Sequence, residues 1–214
     1  MDAEFWHARW AKNEIGFHKS EANPLLVENF AALSLPPGSR IFLPLCGKTL
    51  DISWLLAQGY RVAGAELSEL AVGQLFSELG ITPEITERGP IKHYRADTID
   101  IFAGDIFELS DNLLGPVDAV YDRAALVALP ETLRQQYTAH LTAITQQAPQ
   151  LLICFEYDQS QLSGPPFSIS PEEVRRHYAA IYQLSLVTSV ELADEFKGLH
   201  GVKEHVWLLQ NSKA

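Results

Sequence analysis

Several things are scarce in this chain of 214 residues, and each scarcity removes a class of function. Basic residues are outnumbered, 16 Lys and Arg against 27 Asp and Glu, for a net charge of -11. No basic run offsets that excess, so nucleic acid phosphate is expected to be repelled. No apolar run approaches the length of a membrane span, and the opening Met-Asp-Ala-Glu is too acidic for a secretory leader. A soluble, cytoplasmic protein is expected. Cysteine is limited to Cys46 and Cys154, both in or at the end of apolar runs, where buried free thiols are the ordinary outcome. The seven histidines form no zinc-like grouping with cysteine or acids, so no metal is expected. Repeats, low-complexity tracts and interdomain linkers are also missing. With 47% apolar residues the chain can bury one core, so residues 1–214 are expected to form a single domain with a helical cap over about 1–35.

Glycine is scarce at a telling place. Residues 41–45, Ile-Phe-Leu-Pro-Leu, suit a strand buried on both faces, and Leu50, Trp54 and Leu55 then recur at helical spacing until Gly59. Residues 61–65 are apolar again and end on Glu66. This is a strand, turn, helix and parallel strand, a unit that places its ligand beyond the carboxyl ends of the strands. Gly47 and Glu66 stand 19 positions apart, near the spacing at which an acid grips ribose hydroxyls. Gly47-Lys48-Thr49 imitates a phosphate-binding loop, yet that motif requires glycine where Phe42 stands. A dinucleotide turn requires Gly-x-Gly-x-x-Gly, and only Gly47 is present. One glycine between bulky leucines suits a nucleoside ligand without phosphate, and S-adenosylmethionine fits that description.

The remaining residues supply candidates in chain order. Phe5, Trp6, Arg9 and Trp10 cluster on an opening helix, where Trp10 either packs as core or covers a ligand. Phe17 lies in a loop before a helix beginning near Pro24. Ser68 and Gly80 bracket a helix over 69–79, residues 81–90 are turn-rich, and 93–103 read as a hairpin bent at Asp97-Thr98. Asp105 either accepts from an adenine amino group or caps the turn after it. A strand over 117–121 leads to Asp122-Arg123, which is either a ligand-facing pair or a plain surface ion pair. A helix over 130–148, a strand over 151–155, a stiff Ser163-Gly164-Pro165-Pro166-Phe167 loop that walls a pocket, and a helix from Ser170-Pro171 follow. Two strands, 184–190 and 205–209, joined through Asp194 to Gly201, close the chain as a reversed hairpin.

Taken together, Trp6 to Trp10, Gly16-Phe17-His18, Phe42-Leu43-Pro44-Leu45-Cys46-Gly47-Lys48, Gly64-Ala65-Glu66-Leu67-Ser68, Asp105-Ile106-Phe107, residues 122–127 and Gly164-Pro165-Pro166-Phe167 resemble the bacterial thiopurine S-methyltransferases. The Pro-Leu-Cys-Gly-Lys turn is more specific than a generic glycine-rich loop. The resemblance implies an α/β class I methyltransferase (Rossmann-like) fold: a mostly parallel seven-stranded sheet, helices on both faces and an antiparallel final strand. It implies S-methylation of small aromatic or heterocyclic thiols, with S-adenosyl-L-methionine giving S-adenosyl-L-homocysteine; a monomer is expected. Carried over by position, it assigns the cofactor to Trp10, Leu45, Glu66, Leu67, Asp105, Ile106 and Arg123. It assigns the thiol to Phe17, Pro166 and Lys197, with Arg123 the catalytic cation that favours the thiolate. Lys197 stands where the family pattern has arginine. The competing readings are a nicotinamide-dependent oxidoreductase and a methyltransferase acting mainly on selenium or tellurium species.

Overall fold

The computed structural model of the chain describes residues 3–192 and 196–211. Its strands are β1 (Arg40–Leu43), β2 (Arg61–Glu66), β3 (Glu84–Arg88), β4 (Ile91–Ala96), β5 (Ile99–Ala103), β6 (Ala119–Arg123), β7 (Gln150–Glu156), β8 (Tyr182–Glu191) and β9 (Lys203–Asn211). Its α-helices are α1 (Ala3–Ala11), α2 (Pro24–Asn29), α3 (Leu50–Ala57), α4 (Glu69–Leu79), α5 (Asp111–Leu114), α6 (Glu131–Ile144) and α7 (Pro171–Tyr178).

Strand periodicity explains the layering, because successive side chains leave a strand on opposite faces. Ile41 and Leu43, Val62, Ile101, and Leu151 and Ile153 join α2, α3 and α4 in one core cluster. Their neighbours Phe42, Ala63, Phe102 and Leu152 join α6 and α7 in the other. Strands buried on both faces therefore read as unbroken apolar runs, and helices cover both sides.

One sheet holds all nine strands in the order β3-β4-β5-β2-β1-β6-β7-β9-β8. The five central strands β5, β2, β1, β6 and β7 are parallel. β9 runs antiparallel between β7 and β8, the reversed closing hairpin expected. The sheet has nine strands where seven were expected, because the first arm of the expected hairpin (β4) and a further strand both join it, and one parallel strand is shifted along the sequence. Residues 84–88, expected within a turn, form β3, which pairs only with β4 and extends the sheet at the far edge. The fourth parallel strand spans Ala119–Arg123 rather than 117–121, so Asp122 and Arg123 lie inside it. Residues 193–195, within the expected connection between the last two strands, lie outside the described residues.

Caps set the helix limits as chemistry dictates. Ser68 accepts from the Ala71 N–H and Gly80, left-handed at φ 67°, ends α4. Asn23 caps α2 through the N–H groups of Leu25 and Leu26. That same Asn23 gives its own N–H to Asp51 at 2.7 Å, which anchors the N-terminal segment to α3.

Candidate active site

A cavity of about 440 Å³ opens at the carboxyl ends of β1, β2 and β6, roofed by α1 and the loop after it. Its walls include Trp10, Phe17, Leu45, Glu66, Leu67, Arg123, Pro166 and Lys197, residues scattered over 188 positions of sequence. Asp105 and Ile106 do not line it. The Asp105 carboxylate accepts from the Phe107 N–H at 3.0 Å, capping a single helical turn, and Ile106 is buried in the core. Both still follow β5 beside β2, where the Gly104 N–H reaches the Glu66 carbonyl at 2.9 Å.

Glu66 is a buried acid of the site, only 6% exposed. One carboxylate oxygen accepts from the Gly47 N–H at 2.7 Å and the other from the Ser68 N–H at 2.8 Å. Burial raises its pKa, and the backbone donors of Ser68, Gly47 and Leu67 oppose that shift. An ionised carboxylate offers about four lone-pair directions, so acceptor capacity is left for a ligand hydroxyl.

The bend after β1 is shaped by close approach. Gly47 is left-handed, and a Cβ there would lie 3.0 Å from the Trp10 ring. Trp10 therefore does both things the sequence allowed: it packs against the bend and walls the cavity. Its ring meets Phe17 edge-on with centroids 5.5 Å apart, and Trp6 meets Phe17 at 5.9 Å. Gly64 leaves room for Cys46, whose Sγ would stand 2.8 Å from a Cβ at that position. The Cys46 thiol is free, and burial followed by the charge of Glu66 pushes its pKa well up, which removes it as a nucleophile.

Leu45 (φ 49°), Ala124 (φ 65°) and Lys197 (φ 51°) are non-glycine residues held left-handed on the cavity wall. Leucine rarely adopts this conformation, and such strain concentrates where geometry serves a ligand. Leu45 was expected in the strand; the structure turns it away one residue beyond Pro44.

Alternation along β6 separates Asp122 from Arg123. Tyr121 and Arg123 face the cavity, whereas Asp122 is wholly buried on the opposite side. Asp122 accepts from the Tyr137 hydroxyl at 2.7 Å and from the Leu126 N–H at 3.2 Å, so the surface ion pair with Arg123 is not formed. Burial pushes the Asp122 carboxyl up to about 6, against the pull of these donors. Among the described residues the Arg123 guanidinium has no hydrogen-bond or ion-pair partner. Tyr121 gives its hydroxyl to Asp51 at 3.0 Å, which closes a chain from Asn23 through α3 to β6.

Lys197 donates to the Pro165 carbonyl at 2.9 Å, tying the turn at 196–199 to the proline loop. Burial, then the charge of Arg9, holds its ammonium below the usual lysine range. From that loop Pro165 and Pro166 reach the cavity. Phe167 does not; its ring packs against Gly164 and lies under the Arg134 guanidinium.

Sequence reasoning missed His18, Lys48, Tyr121 and Phe155, all of which line the cavity. For His18 a signal existed in its adjacency to Phe17. For Phe155 none did, because only the order of β6 and β7 brings it near. The wall carries Arg9, Lys19, Lys48, Arg123 and Lys197 against Glu14, Asp51 and Glu66. An excess of cations in a chain of net charge -11 focuses attraction for anions on this opening.

Known proteins are similar to this chain in sequence and in fold. The family model for thiopurine S-methyltransferase (TPMT) matches residues 1–212. The thiopurine S-methyltransferase of Xanthobacter autotrophicus is 54% identical over 213 residues, 99% of this chain and 100% of its own length. That of Gluconobacter oxydans is 48% identical, covering 96% of this chain and 94% of its own. Among solved structures, the 1,6-didemethyltoxoflavin-N1-methyltransferase of Burkholderia thailandensis, bound to 1,6-didemethyltoxoflavin and S-adenosylhomocysteine, superposes with a TM-score of 0.66 at 19% identity, covering 98% of this chain and 87% of that one. A methyltransferase of Anabaena variabilis described as SAM-dependent gives 0.65 at 14% identity, with 98% and 94% coverage. The fold is that of class I methyltransferases, and the chain belongs to the thiopurine S-methyltransferase family.

Proposed function

We propose that this protein transfers a methyl group from S-adenosyl-L-methionine to the sulfur of small aromatic or heterocyclic thiols, leaving S-adenosyl-L-homocysteine. The observation that carries the reading is the pairing of two charged groups across one cavity. Glu66 is held rigid by the Gly47 and Ser68 N–H groups, while Arg123 is left without a partner among the described residues.

The residues present suit an adenosyl sulfonium. Glu66 retains lone pairs for ribose hydroxyls, and Leu45, Leu67 and Trp10 supply apolar wall beside it. Asp105 and Ile106 are assigned to the adenine end because they follow the strand next to β2. A dinucleotide suits the bend poorly, since Gly47 is its only glycine and the Trp10 ring lies against it. When bound, S-adenosylmethionine supplies an electrophilic methyl group. Arg123 favours the thiolate over the thiol, as a nearby opposite charge does. Phe17 and Pro166 wall the thiol's ring, Lys197 adds positive charge at the mouth, and the apolar lining keeps water out. The chain's principal task is to hold sulfur and methyl in line.

A single domain over residues 1–214, with residues up to about 35 as a helical cap, acting as a cytoplasmic monomer without nucleic acid partners, completes the reading. The net charge of -11 supports it, as does the finding that no helix among the described residues is long and apolar enough to cross a membrane. The test is direct. Purified protein is incubated with labelled methyl donor and a panel of thiopurines, thiophenols and chalcogen oxyanions. Labelled methyl thioether with stoichiometric S-adenosylhomocysteine is expected. Calorimetric binding of NAD in preference to S-adenosylmethionine, or label only on the oxyanions, sinks the reading.

A further inference from the structure

A second cavity, of about 380 Å³, lies at the amino edge of the sheet, the end opposite the candidate active site. Register and alternation build its floor. Arg40 and Arg61 are partners across β1 and β2, each two positions before a residue on the α6 and α7 side of the sheet, Phe42 and Ala63. They therefore share that face. Arg95 and Asp100 are partners across β4 and β5, and they share it too, because His93 and the core residue Phe102 pair two positions away. Gly115 and Pro116, after α5, complete the wall.

The acids of this cavity are already engaged. Asp100 accepts from Arg40 at 3.1 Å on one carboxylate oxygen and has His93 at 2.9 Å from the other, while Asp118 accepts from the Arg40 main-chain N–H at 2.7 Å. Two cations are left over. The exposed Arg61 guanidinium has no hydrogen-bond or ion-pair partner among the described residues, although it is the neighbour of Arg40, and like charges side by side on adjacent strands repel. The Arg95 side chain is 69% exposed, and its Nε stands 4.0 Å from Asp100. Both can be reached from solvent. We propose that this cavity binds a phosphorylated small molecule, whose phosphate group sits between the Arg61 and Arg95 guanidinium groups. A planar guanidinium gives parallel N–H donors to two oxygens of a phosphate, and two such groups match a dianion in charge. Asp100, between them, is offset by Arg40. The concave wall admits a small molecule, whereas a nucleic acid strand would meet the field of a chain of net charge -11.

The probe is inorganic pyrophosphate, titrated into the full-length protein by calorimetry at constant ionic strength, with acetate as the monoanion for comparison. One site is expected. Arg61→Gln should weaken it about tenfold or more and Arg95→Gln by a smaller factor, while both variants keep wild-type affinity for S-adenosylhomocysteine and so report that they are folded. Because the candidate active site also attracts anions, two controls separate the cavities. Arg123→Gln should leave pyrophosphate binding intact, and saturating S-adenosylhomocysteine should not displace it. NMR of the wild type stands even if a variant does not fold: the main-chain amides of Arg61, Arg95 and Gly115 should shift with pyrophosphate while those of Gly47 and Arg123 stay in place. Binding lost in Arg123→Gln but kept in Arg61→Gln, displacement by S-adenosylhomocysteine, acetate binding as tightly as pyrophosphate, or neither heat nor shifts at millimolar pyrophosphate overturns the proposal. None of those results bears on the methyltransferase reading, which the labelled-donor assay tests by itself.

Discussion

Two arginines at opposite edges of the same sheet show what pairing does to a charge. Arg40 begins β1 at the amino edge, and everything around it is occupied. Its guanidinium donates to the Leu114 carbonyl at 2.7 Å, to the Pro116 carbonyl at 3.1 Å and to Asp100 at 3.1 Å, while His93 stands 2.9 Å from the other Asp100 oxygen. Arg123 ends β6 at the carboxyl edge with no such partner among the described residues. A charge with its donors filled holds chain segments together. A charge kept open in a cavity waits for a ligand, and the left-handed Leu45, Ala124 and Lys197 beside it show backbone strain accepted on the same side.

The sharpest way to break this contrast is to remove each arginine in turn. Arg123→Ala should lower kcat/KM for thiols by about 100- to 1000-fold, the range seen when an electrostatic stabiliser is deleted, with unfolding free energy within about 0.5 kcal/mol of wild type. Arg40→Ala should do the reverse, reducing stability in urea by about 2 kcal/mol with little change in turnover. Loss of activity in both, or in neither, would erase the distinction.

Asp122 sharpens it next, as a charged residue on β6 that faces away from the cavity. Its folded pKa of about 6 lies above the ordinary 3.8. Between those values the folded chain holds a proton that the unfolded chain has released, so this contribution to stability falls as pH rises through the window. Relative to Asp122→Asn, the wild type should lose about 2 kcal/mol from pH 4 to pH 7 in urea titrations. A difference that does not vary with pH would contradict the burial argument. Glu66→Ala should weaken S-adenosylhomocysteine binding about 10- to 100-fold by calorimetry, and unchanged affinity would detach Glu66 from the ligand. The smallest effect is expected at exposed Lys197, where Lys197→Ala should raise KM by no more than about fivefold with kcat unchanged.

What the sequence revealed depended on how local the causes were. α4 was legible to the residue because Ser68 and Gly80 act within their own turns. The link from Gly47 to Glu66 was legible because a short βαβ unit sets their spacing. β3 was not, since Glu84–Arg88 buries no apolar face and is held by pairing with β4. The end of β6 was misplaced because apolar residues stop at Tyr121, and nothing nearby indicates that Asp122 is satisfied by a tyrosine 15 positions on. In the site, Trp10, Phe17 and Arg123 were candidates by their place in the chain, and the family resemblance supplied their roles. Phe155 emerged only once distant segments converged.

One feature of α1 bears on kinetics. Trp10 is the only buried residue of that helix, so its ring is what seats the roof over the cavity. Unseating one large apolar side chain takes about 3 kcal/mol, which leaves on the order of one molecule in 100 ajar at any instant. Product exit would then be timed by a single indole leaving its socket. Amide exchange should find α1 opening far more often than the central strands, and equal protection there would refute that clock.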